Sequence, residues 1–172
     1  MSLEQLWAGW RLEYVQSASA AERLGADDGS GCVFCRIVAS GPPSEENGIV
    51  WRDALSLAVL NLYPYASGHL LVMPVRHVAG LHELTPEESV SLWEATRTAL
   101  AAIADAYDPD GLNMGGNLGR AAGAGIPGHV HLHALPRWSG DTNFMTTVAG
   151  VRVMPESLTE SWRRLHGAWT VS

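Results

Sequence analysis

The 172-residue sequence lacks several features that whole classes of protein require. Its 11 basic residues are outnumbered by 18 acidic ones, so the formal net charge is −7 and nothing suggests the positive surface that binds a nucleic-acid backbone. No apolar run approaches the about 18 residues that a membrane-spanning helix needs. The N-terminal residues also lack a basic stretch followed by an apolar segment. We therefore expect a cytoplasmic protein that binds neither nucleic acid nor membranes.

Cysteine is scarce as well, since the chain has two cysteines, Cys32 and Cys35, in a Cys-x-x-Cys pair. In a cytosolic chain this spacing indicates a metal site or a redox pair before a structural disulfide. Zinc takes four nitrogen or sulfur ligands, so two histidines would have to complete the set. A redox pair would instead open a helix after a strand. We favour zinc and keep the redox pair as the alternative.

Apolar residues, by contrast, make up 47% of the chain and charged residues only 17%, which is enough for a packed core. The length fits one domain with terminal additions. We divide the chain into an N-terminal extension, residues 1–31, and a core domain, residues 32–172. Within the extension, the spacing of apolar residues predicts a helix over Leu3–Val15, and residues 17–31 have the composition of a linker.

Local signals in the core domain predict strands around one long helix. Thr85 suits the N-cap, Pro86 the first helical position and Glu88 a capping box, which together predict a helix over Thr85–Ala106. Because strands and helices do not alternate regularly, we predict an α+β domain on an antiparallel sheet. The other predicted elements are strands at Ile49–Arg52, Leu55–Asn61, His69–Pro74, Leu112–Leu118 and Gly128–Leu135, and a helix at Pro155–Leu165.

The segment that indicates chemistry contains His129, His131 and His133. Successive side chains of a strand alternate between faces, so these three imidazoles share one face. A polar, solvent-facing strand would sooner use Thr, Lys or Glu. Imidazole suits nucleophilic attack on phosphorus and metal ligation. The glycine-rich loop at residues 119–128 can bring backbone N–H groups close to phosphate oxygens, although it can also be a plain hairpin connection.

The sequence His129-Val-His-Leu-His-Ala-Leu resembles the motif of the histidine-triad (HIT) family. Two further segments, Leu60-Asn-Leu-Tyr-Pro-Tyr-Ala-Ser-Gly-His-Leu-Leu-Val-Met-Pro and Pro136-Arg-Trp-Ser-Gly-Asp-Thr-Asn-Phe-Met, look most like its bacterial diadenosine tetraphosphate phosphorylase branch. The resemblance implies a HIT-like α+β fold with a sheet of about five antiparallel strands, a long central helix and terminal helices. It also implies a homodimer.

The resemblance further implies an activity, the cleavage of dinucleoside polyphosphates through a nucleotidyl-histidine intermediate. His131 would be the nucleophile, oriented by the backbone carbonyl that follows it. His133 would contact the phosphate or the leaving group, and His69 would support the triad. Water or inorganic phosphate would accept the nucleotidyl group. The expected nucleotide-binding residues are Asn61, Asn117, Gly125 and Asn143, and the expected ligands of a structural zinc ion are Cys32, Cys35, His77 and His129.

Two alternatives stay open at this point. One is hydrolysis of adenosine phosphoramidates or nucleotidyl adducts on the same fold. The other is a nucleotide-binding protein without significant catalysis.

Overall fold

The computed structural model describes residues 31–141 and 155–169. The predicted helix Leu3–Val15, residues 17–30 of the predicted linker and Asn143 lie outside these ranges. Within them the elements, in chain order, are α1 (Val33–Ala39), β1 (Ile49–Arg52), β2 (Ser56–Leu60), β3 (Leu70–Pro74), α2 (Pro86–Tyr107), β4 (Gly111–Gly115), β5 (Leu132–Arg137) and α3 (Leu158–Ala168), with short 3-10 helices at Leu81–Glu83 and Arg120–Ala122.

The described strands form one five-stranded sheet in the order β1-β2-β3-β5-β4, and every neighbouring pair is antiparallel. The predicted α+β fold on an antiparallel sheet is therefore confirmed. The register between β3 and β5 pairs Leu71 with His133. Because side chains two residues apart share a face, His69 falls on the same face as Leu71 and lies diagonally across from His133.

The two faces of the sheet carry different cores. Leu70 and Val72 belong to a cluster that packs under α2 and α3, whereas Leu71 and Met73 belong to a second cluster that includes Phe34 of α1. Since residues of β3 alternate between these clusters, His69 and His133, the cross-strand partner of Leu71, lie on the α1 side. The long helix α2 thus packs on one face of the sheet, and these histidines lie on the other face. Among the described helices, none combines the length and apolarity that crossing a membrane would require.

Helix α2 begins as its sequence predicts. Thr85 Oγ1 accepts a hydrogen bond from the Glu88 N–H (3.2 Å), and the Thr85 N–H donates to Glu88 Oε2 (2.8 Å). Glu88 also forms an ion pair with Arg76, at 2.6 Å between Nη2 and Oε2. The Arg76 guanidinium and the Thr85 N–H lower the pKa of Glu88 from 4.5 to about 2. Glu88 therefore links the start of α2 to Arg76 in the loop after β3.

We expect Glu88→Gln to destabilise the fold by about 1–2 kcal/mol at pH 7, since glutamine can still accept from the Thr85 N–H but loses the charge-assisted bonds to Arg76. A carboxyl whose folded-state pKa is depressed stabilises the fold above its unfolded pKa, and this contribution is lost as pH falls through the folded pKa. The difference in the free energy of unfolding between Glu88→Gln and wild type should therefore shrink as pH falls from 4.5 towards 2. Urea unfolding across this range checks it, with Glu94→Gln, exposed on the same helix, as the control. A difference that does not change with pH would contradict the ion-pair role.

Several predicted boundaries were wrong. The predicted strand Gly128–Leu135 starts only at Leu132, because the preceding segment is held by a bond from the Val130 N–H to the Val78 carbonyl (2.7 Å) rather than by a neighbouring strand. The predicted strand Leu112–Leu118 ends at Gly115, where pairing with His133 of β5 stops. The predicted helix Pro155–Leu165 starts at Leu158, since Ser157 is its N-cap. Helix α1 and the two 3-10 helices were not predicted.

Candidate functional site

His131 is buried, with its ring centroid 4.9 Å from that of Phe34 and 5.2 Å from that of His133. Its Nδ1 lies 2.9 Å from the backbone carbonyl oxygen of His129. A carbonyl can only accept, so Nδ1 carries the proton and Nε2 keeps its lone pair. The carbonyl expected to orient the ring was the one after His131. The structure shows instead the carbonyl two residues before it, because the ring folds back along the extended chain.

Burial lowers the pKa of His131, and the hydrogen bond to the His129 carbonyl opposes this shift. Desolvation penalises the charged imidazolium, so the neutral ring is favoured. A neutral imidazole whose Nδ1–H is held by a carbonyl presents an unprotonated Nε2. This is the form that can attack an electrophile such as phosphorus.

His69 and His133 form a directed pair of hydrogen bonds. The Tyr65 backbone N–H donates to Nδ1 of His69 (3.1 Å), so His69 carries its own proton on Nε2. That Nε2–H donates to Nδ1 of His133 (2.9 Å), and His133 must therefore carry its proton on Nε2. Desolvation, together with the neighbouring His131, lowers the pKa of His133 to about 4. His133 is thus a neutral hydrogen-bond donor beside the His131 ring.

The predicted nucleotide-binding residues differ in how close to the triad the structure places them. Asn61 lies beside His69, with Nδ2 of Asn61 3.3 Å from Nδ1 of His69, and its Oδ1 accepts from the Tyr63 N–H (3.0 Å). Asn117 follows Gly116, where an added Cβ would lie 3.0 Å from the His131 carbonyl oxygen, so this stretch passes close to the triad backbone. Gly125 lies half-buried in the loop before the triad. Asn143 falls outside the described residues.

The structure gathers the four predicted metal ligands. Their ligand atoms all lie within 4.8 Å of one another, in a group formed by Cys32, Cys35, His77 and His129. Three distances between ligand atoms are 3.7 Å from Cys32 Sγ to His129 Nδ1, 3.3 Å from Cys35 Sγ to His77 Nδ1 and 3.7 Å from Cys35 Sγ to His129 Nδ1. Sulfur and nitrogen ligands at tetrahedral positions around zinc are separated by about 3.5 Å. The group can hold a metal ion.

The tautomer of His129 also fits metal binding. Its Nε2 lies 2.9 Å from the Pro74 carbonyl oxygen and donates to it, so Nδ1 presents a lone pair to the two thiols. Cys32 occupies the N-cap position of α1, without a side-chain capping bond, and Cys35 lies in the first turn. A redox pair would also open a helix in this way. The convergence of His77 and His129 on the same thiols favours the metal interpretation.

His129 connects the two parts of the site. Its ring belongs to the metal-ligand group, while its backbone carbonyl orients His131. Phe34 packs edge-on against both imidazoles, with centroids 5.6 Å from His129 and 4.9 Å from His131. Sequence reasoning assigned no role to Phe34 or Tyr65. The signal available for Phe34 was its place between the two cysteines, and for Tyr65 its place four residues before His69.

The family model of the HIT domain matches residues 43–140, which include His69, His77 and the whole triad. This chain belongs to the histidine-triad family. A relative from Mycobacterium tuberculosis, AP-4-A phosphorylase, is 38% identical over 97% of this chain and 85% of its own length. The asymmetrical bis(5′-nucleosyl)-tetraphosphatase of Schizosaccharomyces pombe is 38% identical over 54% of this chain and 50% of its own length.

A solved structure of a zinc-bound histidine-triad protein from Mycobacterium smegmatis is similar as well. It is 31% identical and has a TM-score of 0.65, and the match covers 81% of this chain and 93% of that one. The HIT-like architecture expected from the sequence is therefore confirmed.

Gly68, directly before His69, has a conformation and surroundings that exclude a side chain. Its φ is +78°, and an added Cβ would lie 2.5 Å from Cε2 of Tyr107. The Tyr107 ring is held in place because its hydroxyl donates to Glu156 (2.6 Å). Gly140 offers a matched control, since its φ is +79° and no atom of the described residues lies within 4 Å of an added Cβ.

We expect Gly140→Ala to destabilise the fold by about 1 kcal/mol, from backbone strain alone. Gly68→Ala should destabilise the fold by the same amount plus about 1–3 kcal/mol for overpacking against Tyr107. It should also lower turnover, because His69 is the next residue. Urea unfolding and steady-state kinetics of both variants check this, and equal destabilisation in the two would rule out the steric contribution of Tyr107.

Proposed function

We propose that this protein cleaves dinucleoside polyphosphates by transferring a nucleotidyl group to His131. The observation that carries the proposal is the pairing of a buried, neutral His131, whose Nε2 bears a lone pair, with the neighbouring donor His133. The activity named for the M. tuberculosis relative supports the choice of substrate class.

In the first step, Nε2 of His131 attacks the α-phosphorus of the substrate. An N–P bond forms as the P–O bond to the leaving polyphosphate breaks. The Nδ1–H of His131 continues to donate its hydrogen bond to the His129 carbonyl oxygen, which stabilises the positive charge that the ring acquires. The Nε2–H of His133 donates a hydrogen bond to the departing oxygen. The bond from His69 to Nδ1 of His133 keeps the His133 proton on Nε2 for this role.

In the second step, water or inorganic phosphate attacks the same phosphorus, the N–P bond breaks and His131 returns to its neutral form. With diadenosine tetraphosphate the first step releases ATP. Transfer to water then gives AMP, and transfer to phosphate gives ADP. The names of the two relatives correspond to these two acceptors, a phosphorylase and a hydrolase.

Substrate binding would use few cations, because the chain has 11 basic residues in all and a net charge of −7. Backbone N–H groups of the glycine-rich loop, Gly125 among them, would therefore contact phosphate oxygens. We assign Asn61 to the ribose, Asn117 to the α-phosphate, and Asn143 to phosphate or the distal nucleotide.

We assign zinc to the group of Cys32, Cys35, His77 and His129. With all four positions of a tetrahedron taken by protein ligands, no position remains for water, so the ion would be structural. When bound, zinc supplies a fixed anchor for the His129 ring. Since the carbonyl of the same residue orients His131, these ligands would keep the nucleophile in place. We also propose that the protein is a homodimer, which light scattering would test.

Product analysis tests the proposed function. Diadenosine tetraphosphate is incubated with and without inorganic phosphate, and the nucleotides are separated by anion exchange. ADP plus ATP, formed only with phosphate, is the result expected of a phosphorylase. AMP plus ATP without phosphate would establish a hydrolase that uses the same nucleophile. No cleavage in either reaction would overturn the proposal, and adenosine phosphoramidate would then be assayed.

A further inference from the structure

The loop between β2 and β3 exposes three large side chains beside the site. Leu62 is 62% exposed, Tyr63 84% and Tyr65 53%. Large exposed apolar groups that cluster next to a functional site commonly mark a binding surface. This loop therefore offers a candidate surface for part of a ligand that extends beyond the reacting atoms.

The loop presents Tyr65 in a fixed position. The Tyr65 N–H donates to Nδ1 of His69, and the Tyr63 N–H donates to Oδ1 of Asn61. The Tyr65 ring lies nearly parallel to the His133 ring, with 13° between the planes and 5.9 Å between the centroids. It is also 4.8 Å from the His69 ring. The aromatic side chain is thus packed on the imidazole pair and still more than half exposed.

The position of Tyr65 relative to the reaction decides what it can contact. His133 touches both the nucleophile His131, at 5.2 Å between ring centroids, and Tyr65. His133 donates towards the leaving oxygen in the proposed mechanism. Because the Tyr65 ring lies against the His133 ring, it is close to the place where the leaving polyphosphate would be held.

We propose that Tyr65 is a stacking surface for the purine base of the leaving nucleotide, so that the site recognises the second nucleoside of its substrate. This inference rests on the proposed function. Stacking on an aromatic ring suits an acidic protein that has few cations, because it binds the base without requiring a positive charge.

The test compares two substrates that share the same reacting bond. Diadenosine tetraphosphate carries the second nucleoside, and adenosine 5′-tetraphosphate lacks it. We expect Tyr65→Leu to reduce the ratio of their kcat/KM values about tenfold, which corresponds to about 1.4 kcal/mol of lost stacking. Tyr65→Phe, which keeps the ring, should retain the wild-type ratio. Trp93→Leu, an exposed aromatic on α2, is the control for a surface aromatic elsewhere.

The ratio separates recognition from structural support of His133, since damage to the imidazole pair would lower both kcat/KM values together. An unchanged ratio in Tyr65→Leu would overturn this inference while leaving the proposed function intact. A reduced ratio of the two kcat/KM values in Tyr65→Phe would also overturn it, because the hydroxyl and not the ring would then recognise the second nucleoside. Wild-type protein that cleaves neither substrate would overturn the proposed function itself.

Discussion

Replacing His131 with alanine is expected to reduce turnover of diadenosine tetraphosphate by at least about 10³-fold, the scale on which loss of a covalent nucleophile acts. The other imidazole beside it, His133, cannot take over, because its Nδ1 accepts from His69 and its Nε2 carries a proton. The fold should survive, since alanine keeps the backbone of residue 131 and, among the described residues, the hydrogen bond of the ring goes to the local carbonyl of His129.

Steady-state kinetics and circular dichroism check this prediction. His82→Ala is the control, because His82 is exposed and lies outside the site. A rapid acid-free quench with labelled substrate should trap an N–P linked nucleotide on wild-type protein and none on His131→Ala. Wild-type rates in His131→Ala would refute the mechanism, and so would an adduct that persists in that variant.

The second large effect is expected on removing a ligand of the metal-ligand group. Purified wild-type protein should contain stoichiometric zinc, and Cys35→Ser should contain little. The loss should destabilise the fold by about 3 kcal/mol, equivalent to a fall in Tm of roughly 6–12 °C. We expect kcat to fall about tenfold as well, because His129 supplies both a ligand atom and the carbonyl that orients His131.

Elemental analysis, thermal unfolding and kinetics measure the three effects separately, with His82→Gln as a histidine control outside the group. If wild-type protein contains no metal and Cys35→Ser melts at the wild-type temperature, the zinc assignment fails. Metal-free wild-type protein whose two thiols react freely with a thiol reagent would support the redox alternative instead.

Part of the fold follows from signals that are local in the sequence. The capping box of α2 needs only Thr85, Pro86 and Glu88, and the helix begins where they predict. The period-two spacing of His129, His131 and His133 predicts a common side. Phe34 contacts the first two rings, and the second contacts the third, even though β5 starts only at Leu132. The boundaries of β4 and β5 were less predictable, because a strand ends where its partner ends, and the partner is set by the whole sheet.

The candidate site shows the same division. The sequence alone determined that a metal site with Cys32 and Cys35 would need two histidines as further ligands, and it predicted that three imidazoles share one face. Only the tertiary structure decided which atoms meet, since His77 and His129 are 42 and 94 residues from Cys35. It also decided the tautomers of His129, His131 and His133. A tautomer depends on which carbonyl or N–H the chain brings to each ring nitrogen, and no local pattern encodes contacts between segments that meet only when the sheet closes.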